Sequence, residues 1–315
     1  MTRYMVTGGC GFIGRTLIKN LGKEAGAKVL VLDSLVAGSG DSFQNERVEL
    51  VVADIRDREA VECAAEGVDC IIHLAAFSGV RPSLVDPHGT IEVNVTGSVN
   101  VLEAARRHQV RSVVLASTAG AIMGDRPPPL REDMVPTPTS PYGASKLAME
   151  AYASSYAAAY SLPVTCLRFA NVYGPYSEHK AGIVTAALKA ALKGQTLTVY
   201  GDGKQERDFI FVADVCDAIL AACARPAPGE EIQIASGEGT SVLNLMSVIE
   251  EITGCSIQVT HSPPNAGEVR EVWCEVTKAE LLLDWHPRTA LPQGLKTTAD
   301  WYVERARTTH TYTLS

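Results

Sequence analysis

The chain of 315 residues predicts an α/β fold: a doubly wound parallel sheet with a smaller, interleaved C-terminal lobe. Three observations carry this. Short β-branched runs alternate with helical periodicity through the first half. Those runs are apolar at both alternating positions, as strands covered on both faces must be. After about Phe169 the texture changes to segments broken by Gly and Pro.

In chain order the strand candidates are YMVT (4–7), KVLVLD (28–33), VELVVAD (48–54), VDCIIHLAA (68–76), VRSVVLAS (110–117) and LPVTCLRF (162–169). The turn-rich sites beyond them are Gly174-Pro175, Gly201-Asp202-Gly203, Pro226 to Gly229 and Pro263-Pro264. The division that follows is a nucleotide-binding domain over 1–170 and a second lobe mainly over 171–315. Ala213 to Ala224 is apolar enough to return to the sheet, so a segment near 208–225 is expected to rejoin the first domain.

Hydrophobic residues at 46% and charged residues at 20% describe an ordinary folded chain. A net charge of -8 offers no general attraction to nucleic acid or to an anionic membrane. Anionic ligands must then be held by local groups. The start MTRYMVTGGC lacks the basic and apolar regions of a signal peptide, and no stretch approaches the ~18 apolar residues of a spanning helix. A cytoplasmic location is the expectation. Eight scattered cysteines without CxxC read as reduced, with Cys216 and Cys223 in the core, and no metal site is expected.

The first strand runs into TGGCGFIG, which spaces Gly8, Gly11 and Gly14 as GxxGxxG before a helix. Glycines there permit a tight turn and let the N–H groups of the first helical turn, at Phe12 and Ile13, approach a pyrophosphate. Asp33 ends the second strand nineteen residues after Gly14, where an acid accepts from an adenosine ribose. No Arg or Lys occupies 34–40, which favours NAD over NADP. Asp54, followed by Ile55 in VVADI, either accepts from the adenine amino group or caps a helix from Arg56 onward.

SPYGASK sets Tyr142 and Lys146 four apart at the start of an Ala-rich helix, hence on one face. A phenol must be activated to serve as a base near neutrality. Bringing its pKa from 10 to ~7 requires roughly 4 kcal/mol, which Lys146 and a positively charged nicotinamide are expected to supply together.

GxxGxxG, YxxxK, the HLAA at 73–76 and the chain length together resemble the extended short-chain dehydrogenase/reductases, and within them the sugar-nucleotide epimerases and dehydratases. The resemblance implies a Rossmann-type fold, bound NAD, a UDP- or dTDP-sugar substrate and a homodimer formed through the helices around 91–108 and 145–160. It also implies residue roles. Leu74, Ala75, Ala76 and Asn94 fall on the cofactor side, and His73 near the crossover is either part of that side or a satisfied strand-end histidine. Arg81 and Ser83 line the hexose pocket or lie on the surface. Asn171, in LRFANVYGP, holds the sugar nucleotide, and Arg207 and Arg270 meet the diphosphate. Asn265 stands where relatives often carry an arginine, and Val272 aligns with a gatekeeper whose size leaves room for an N-acetyl group.

The reaction follows from LASTAGAIMG at 115–124. Relatives oxidise C4 of the hexose, with a hydroxyl at this strand tip relaying the proton; Thr118 is the candidate and Ser117 stands behind it, although the commoner spacing would use Ala119. Family dehydratases and decarboxylases carry acids directly after the threonine, whereas Ala119, Gly120 and Ala121 follow here. A 4-epimerase is therefore the first reading. The alternatives are a dehydratase recruiting Asp125, Glu178 or His179, a reductase or dehydrogenase, and a non-catalytic NAD-binding protein. Met123 replaces a usual Tyr and is expected to alter the pocket rim.

Overall fold

A computed structural model describes residues 1–23, 26–36, 46–263 and 269–312, the last five by backbone alone. Asn265 lies outside the described residues, as do positions 37–40. The strands are β1 (Thr2–Thr7), β2 (Ala27–Asp33), β3 (Val48–Val52), β4 (Cys70–His73), β5 (Ser112–Thr118), β6 (Val164–Phe169), β7 (Asn171–Tyr173), β8 (Leu197–Tyr200), β9 (Glu206–Phe211), β10 (Glu231–Ile234), β11 (Gly239–Ser241), β12 (Val259–Ser262) and β13 (Glu271–Val272). The helices are α1 (Phe12–Leu21), α2 (Arg58–Ala64), α3 (Val80–Val85), α4 (Pro87–Ile91), α5 (Ser98–Arg107), α6 (Gly120–Met123), α7 (Pro141–Tyr160), α8 (Ile183–Lys193), α9 (Val212–Ala224), α10 (Val242–Thr253), α11 (Thr277–Leu283) and α12 (Leu291–Tyr312). A π-helical turn, Glu92–Gly97, joins α4 to α5.

Seven parallel strands form the main sheet in the order β10-β6-β5-β4-β1-β2-β3. Chain direction across the sheet reverses between β1 and β4. In a doubly wound sheet the crevice beyond the strand ends at that point is where a dinucleotide sits. The two faces carry separate cores. On one, Leu17 and Ile18 of α1 pack with Val215, Cys216 and Ile219 of α9; on the other, Val101 and Leu102 of α5 pack with Met149 and Ala153 of α7. Burying each such large side chain contributes about 1.5–3 kcal/mol. Strand β10 escaped the sequence reading because EIQI is short and carries a buried glutamine.

The remaining strands build on β9. Its first half pairs with β11 on one edge and β13 on the other, and its second half pairs with β7. A two-stranded pair, β8 with β12, lies beside them, and α8, α10 and α12 enclose a third core around Leu188, Leu245 and Leu295. Among the described residues no helix is long and apolar enough to cross a membrane. Cys216 is buried and Cys223 half-buried.

Candidate active site

The glycine loop is shaped by close backbone approach. Gly8 has φ +70°, and a Cβ on it would lie 2.5 Å from the Ala75 nitrogen; one on Gly14 would lie 2.5 Å from the Gly9 Cα. Strand ends β1 and β4 therefore touch without side chains between them, and Thr7 secures the contact by accepting the Ala75 N–H and the Leu74 N–H at its hydroxyl and carbonyl. Gly11 is the N-cap of α1 and no side chain caps that helix, so Phe12 and Ile13 open a helix N-terminus suited to an anion. Asp33 accepts from Cys10 N (2.9 Å) in the loop and from Leu35 N (2.8 Å), one bond per carboxylate oxygen. Each oxygen keeps a lone pair for a ribose hydroxyl. Loop, uncapped helix and acid together fit NAD.

Asp54 does not cap a helix. The N-cap of α2 is Asp57, which accepts from Glu59 N and Ala60 N, because the helix begins at Arg58, two residues later than expected. The Asp54 carboxylate is instead forked by Arg56 at 3.0 and 2.8 Å, which holds its pKa below the usual range. Ile55, beside it, is buried against Gly97.

Helix α7 begins at Pro141, capped by Ser140, which accepts the Gly143 N–H at 3.1 Å. Pro at the first helical position has no N–H to leave unpaired. Tyr142 and Lys146 thereby occupy the first two turns. Ser83 is wholly buried; its hydroxyl donates to the Val80 carbonyl (2.7 Å) and accepts the Tyr142 N–H (3.1 Å). It is thus neither a surface residue nor a free donor to a sugar. It fixes the catalytic turn.

Burial sets the starting point for the Tyr142–Lys146 pair. Burial pushes the Tyr142 phenol up to about 12 and the Lys146 ammonium down to about 8, and Lys146 donates to the Ala116 carbonyl at 2.7 Å. Desolvation thus favours the neutral phenol in the ligand-free protein.

Behind α7 runs a connected set of buried hydrogen bonds. Asn94, in the π-helical turn, accepts from Phe77 N (2.7 Å) and donates to Phe77 O (3.1 Å) and to Ser145 Oγ (2.9 Å). Ser145 in turn donates to the Tyr142 carbonyl at 2.8 Å. His73 bridges Thr7 Oγ1 (2.7 Å) and Ser98 Oγ (3.0 Å), and burial followed by the Lys146 charge lowers its pKa to about 3. Because Ser98 gives its proton to the Asn94 carbonyl, His73 Nε2 is the donor to Ser98. Through these bonds His73 and Asn94 link the end of β1 to α7. The π-turn carries no sequence signal that periodicity could detect.

At the tip of β5, Thr118 is half-buried while Ser117 is buried and donates to Glu150 Oε1 at 2.6 Å. Alternation along the strand sends the two hydroxyls to opposite faces. Ala119 is fully enclosed with Met123, Leu130, Ala235 and Cys274, so the commoner hydroxyl position has no access here. Met123 is 0% exposed, which corrects the expectation of a rim residue. It fills a core.

The groups expected on the substrate side gather on the β9 assembly. Arg207 on β9 stands in register with Val272 of β13, and its Nη1 donates to the carbonyls of Glu206 (2.7 Å) and Arg270 (3.2 Å). Arg270 reaches Asp202 at 3.1 Å from an exposed position. Asn171 opens β7, exposed, opposite Phe209. Val272 lies against Gly120, where an added Cβ would meet Val272 Cγ1 at 3.1 Å, so β13 abuts the residues following Thr118. Arg81 is exposed and stacks over the Tyr200 ring at 5.4 Å. Ala76, next to the glycine loop contact, is half-buried.

Comparisons with known proteins agree with this arrangement. The chain is 36% identical over 313 residues to a UDP-glucose 4-epimerase of Mycolicibacterium smegmatis, covering 97% of this chain and 100% of that one. A UDP-glucose 4-epimerase of Thermotoga maritima solved with UDP-glucose superposes with TM-score 0.92 at 34% identity, over 97% of this chain and 100% of the other. One of Thermus thermophilus solved with NAD gives 0.88 at 34%, over 96% and 99%. Residues 4–235, which take in the glycine loop, the Tyr142–Lys146 helix and the β9 arginine, match a single family. The chain belongs to the NAD dependent epimerase/dehydratase family.

Proposed function

We propose that the protein is a UDP-hexose 4-epimerase that inverts C4 of the sugar through a transient 4-keto intermediate. One observation carries the choice within the family. The turn after Thr118 consists of Ala119, Gly120, Ala121, Ile122 and Met123, with Ala119, Ile122 and Met123 buried. Elimination of a hydroxyl needs a proton donor, and abstraction at C5 needs a base. This turn supplies neither. Of the other acids and bases considered, Glu178 faces Arg305 at 3.6 Å, and Asp125 and His179 are exposed.

Roles follow from position. Gly8, Gly11, Gly14, Phe12 and Ile13 hold the pyrophosphate of NAD and Asp33 its ribose, while Leu74, Ala75 and Ala76 wall the crevice. When bound, NAD would supply a reversible hydride acceptor for C4. Thr118 holds the 4-oxygen by hydrogen bond, and Tyr142 takes the hydroxyl proton and later returns it. Lys146 anchors to Ala116 and keeps a positive charge beside the developing tyrosinate. Asn171, Arg207 and Arg270 hold the nucleotide diphosphate, and a dianion there matches the guanidinium geometry. Val272, against Gly120, bounds the sugar. A homodimer through α5 and α7 accords with exposed Tyr152 and Tyr160 on the latter helix.

The deciding experiment incubates the purified protein with UDP-hexoses in deuterated water and follows products by NMR and mass spectrometry. Interconversion of the C4 epimers, with mass unchanged and no carbon-bound deuterium, is expected. Loss of one water or deuteration at C5 would replace this reading by a dehydratase.

A further inference from the structure

A buried polar strip crosses the sheet directly beneath the catalytic residues. Ser117, Arg168 and Gln233 are register partners on the adjacent strands β5, β6 and β10, so their side chains share one face. Helix α7 lowers Glu150 onto that face, one turn after Lys146. Its Oε1 accepts from Ser117 Oγ (2.6 Å) and Arg168 Nε (2.9 Å), and its Oε2 accepts from Arg168 Nη2 (2.8 Å). All four side chains are at most 4% exposed. Among the described residues Arg168 Nη1 and both polar atoms of the Gln233 amide have no partner, so Glu150 is the anchor of this guanidinium.

Burying such an ion pair is costly, and apolar residues of similar size usually serve stability as well or better. Stability alone does not account for it. Its geometry does: one carboxylate ties the helix bearing Tyr142 and Lys146 to the strand bearing Thr118, one residue beyond Ser117, and to β6 at the same time. We propose that Glu150, locked by Arg168, is a positioning residue that sets the separation between Thr118 and the Tyr142–Lys146 pair. The proposal rests on those three residues being the reacting set.

The charge also acts on Lys146. The titratable groups around that ammonium are Tyr142 and Glu150 on its own helix, Cys166 on β6 and His73 on β4, and burial keeps the Tyr142 phenol neutral in the ligand-free protein. Burial keeps the Cys166 thiol neutral and the His73 ring uncharged near neutrality, which leaves Glu150 as the anion that favours protonated Lys146. Glu231 also lies near Glu150 and Arg168.

The test is the pair replacement E150L/R168M, chosen because it leaves no buried charge unpaired. The expected variant melts near the wild type and keeps KM within about threefold, but loses roughly 100-fold in kcat, as a displacement of about 1 Å would cause. The basic limb of its kcat–pH profile moves to lower pH, since Lys146 loses its anion; a purely structural pair would leave that limb in place. Wild-type kcat with an unmoved limb overturns the proposal. Should the double variant not fold, S117A decides: a loss of about fivefold to tenfold in kcat is expected, and unchanged kcat overturns it. Tyr142→Phe runs alongside, because activity in that variant would mean the reacting set itself is misassigned, whereas an inactive Tyr142→Phe with a normal pair replacement rejects Glu150 alone.

Discussion

The two ends of the proposed substrate cleft are built on opposite plans. At the reaction end, Ser83, Asn94, Ser145 and Lys146 are 0–3% exposed and each makes a hydrogen bond within the protein. At the nucleotide end, Asn171 and Arg270 are exposed and Arg270 meets Asp202 with 63% of its side chain open to solvent. In the proposed reaction a hydroxyl, a phenol and an ammonium must be held in place before the ligand arrives, because misplacement there would cost rate directly. The proposed diphosphate site would tolerate solvated arginines that exchange a protein carboxylate for a ligand phosphate. In a chain of net charge -8, those few cations supply the local attraction that the whole molecule lacks.

The largest effect expected is at the buried end. Tyr142→Phe should lower kcat by about a thousandfold or more, roughly 4 kcal/mol, with NAD still bound. The same variant isolates the phenol's titration. Subtracting its tyrosinate absorbance from that of the wild type should show a midpoint near 12 in the NAD-free protein, moving down when the positively charged nicotinamide binds. A raised phenol pKa favours the neutral form, so the midpoint lies above the ordinary value of about 10, and a midpoint below it without ligand would contradict the burial argument.

Met123→Ala comes next, and it asks whether that residue belongs to the core or to the cleft. A loss of about 2–4 kcal/mol of stability with KM unchanged is expected for a fully buried methionine; an altered KM with an unchanged melt would return it to the rim. Arg207→Ala should raise KM for the sugar nucleotide by about 10- to 100-fold while kcat falls much less, as for a charge-assisted bond made in ground and transition states alike. If kcat fell instead, the two ends would not be separable. Arg270→Ala should cost only a few-fold in KM, on the order of 1 kcal/mol, and less at high salt, because an exposed cation is screened. Salt-independent loss would mean that the ligand buries it.

How much of this was legible depended on whether the signal was local. The glycine spacing, Asp33 and YxxxK are short-range chemistry, and each stands where its spacing put it: after β1, at the end of β2 and on the first turns of α7. Support residues were harder. Ser83 and Asn94 read as pocket or cofactor groups by position, and the bonds that tie them to α7, from Tyr142 N to Ser83 and from Asn94 to Ser145, reach 59 and 51 residues along the chain. Asp54 and Asp57 lie three apart, and propensity could not choose which one caps. Met123 was misplaced because apolar residues in a short turn give no periodicity, and only the packing of Leu130, Ala235 and Cys274 shows where it points. Glu150 looked like one more polar residue on an Ala-rich helix. Its partner Arg168, eighteen residues on, lay within an otherwise apolar strand.

Strand β10 closes one side of the seven-stranded sheet, and the Gln233 N–H on it donates to Glu132 at 2.8 Å. An open strand edge is a template on which a second chain can add its own strand, the first step toward aggregation. Here a carboxylate from a neighbouring segment occupies the outward donor and places a charge where an intruding backbone would have to pair. The loop after α6 thus covers one donor of that edge, and Glu132→Ala is expected to lower the yield of folded protein before it affects rate.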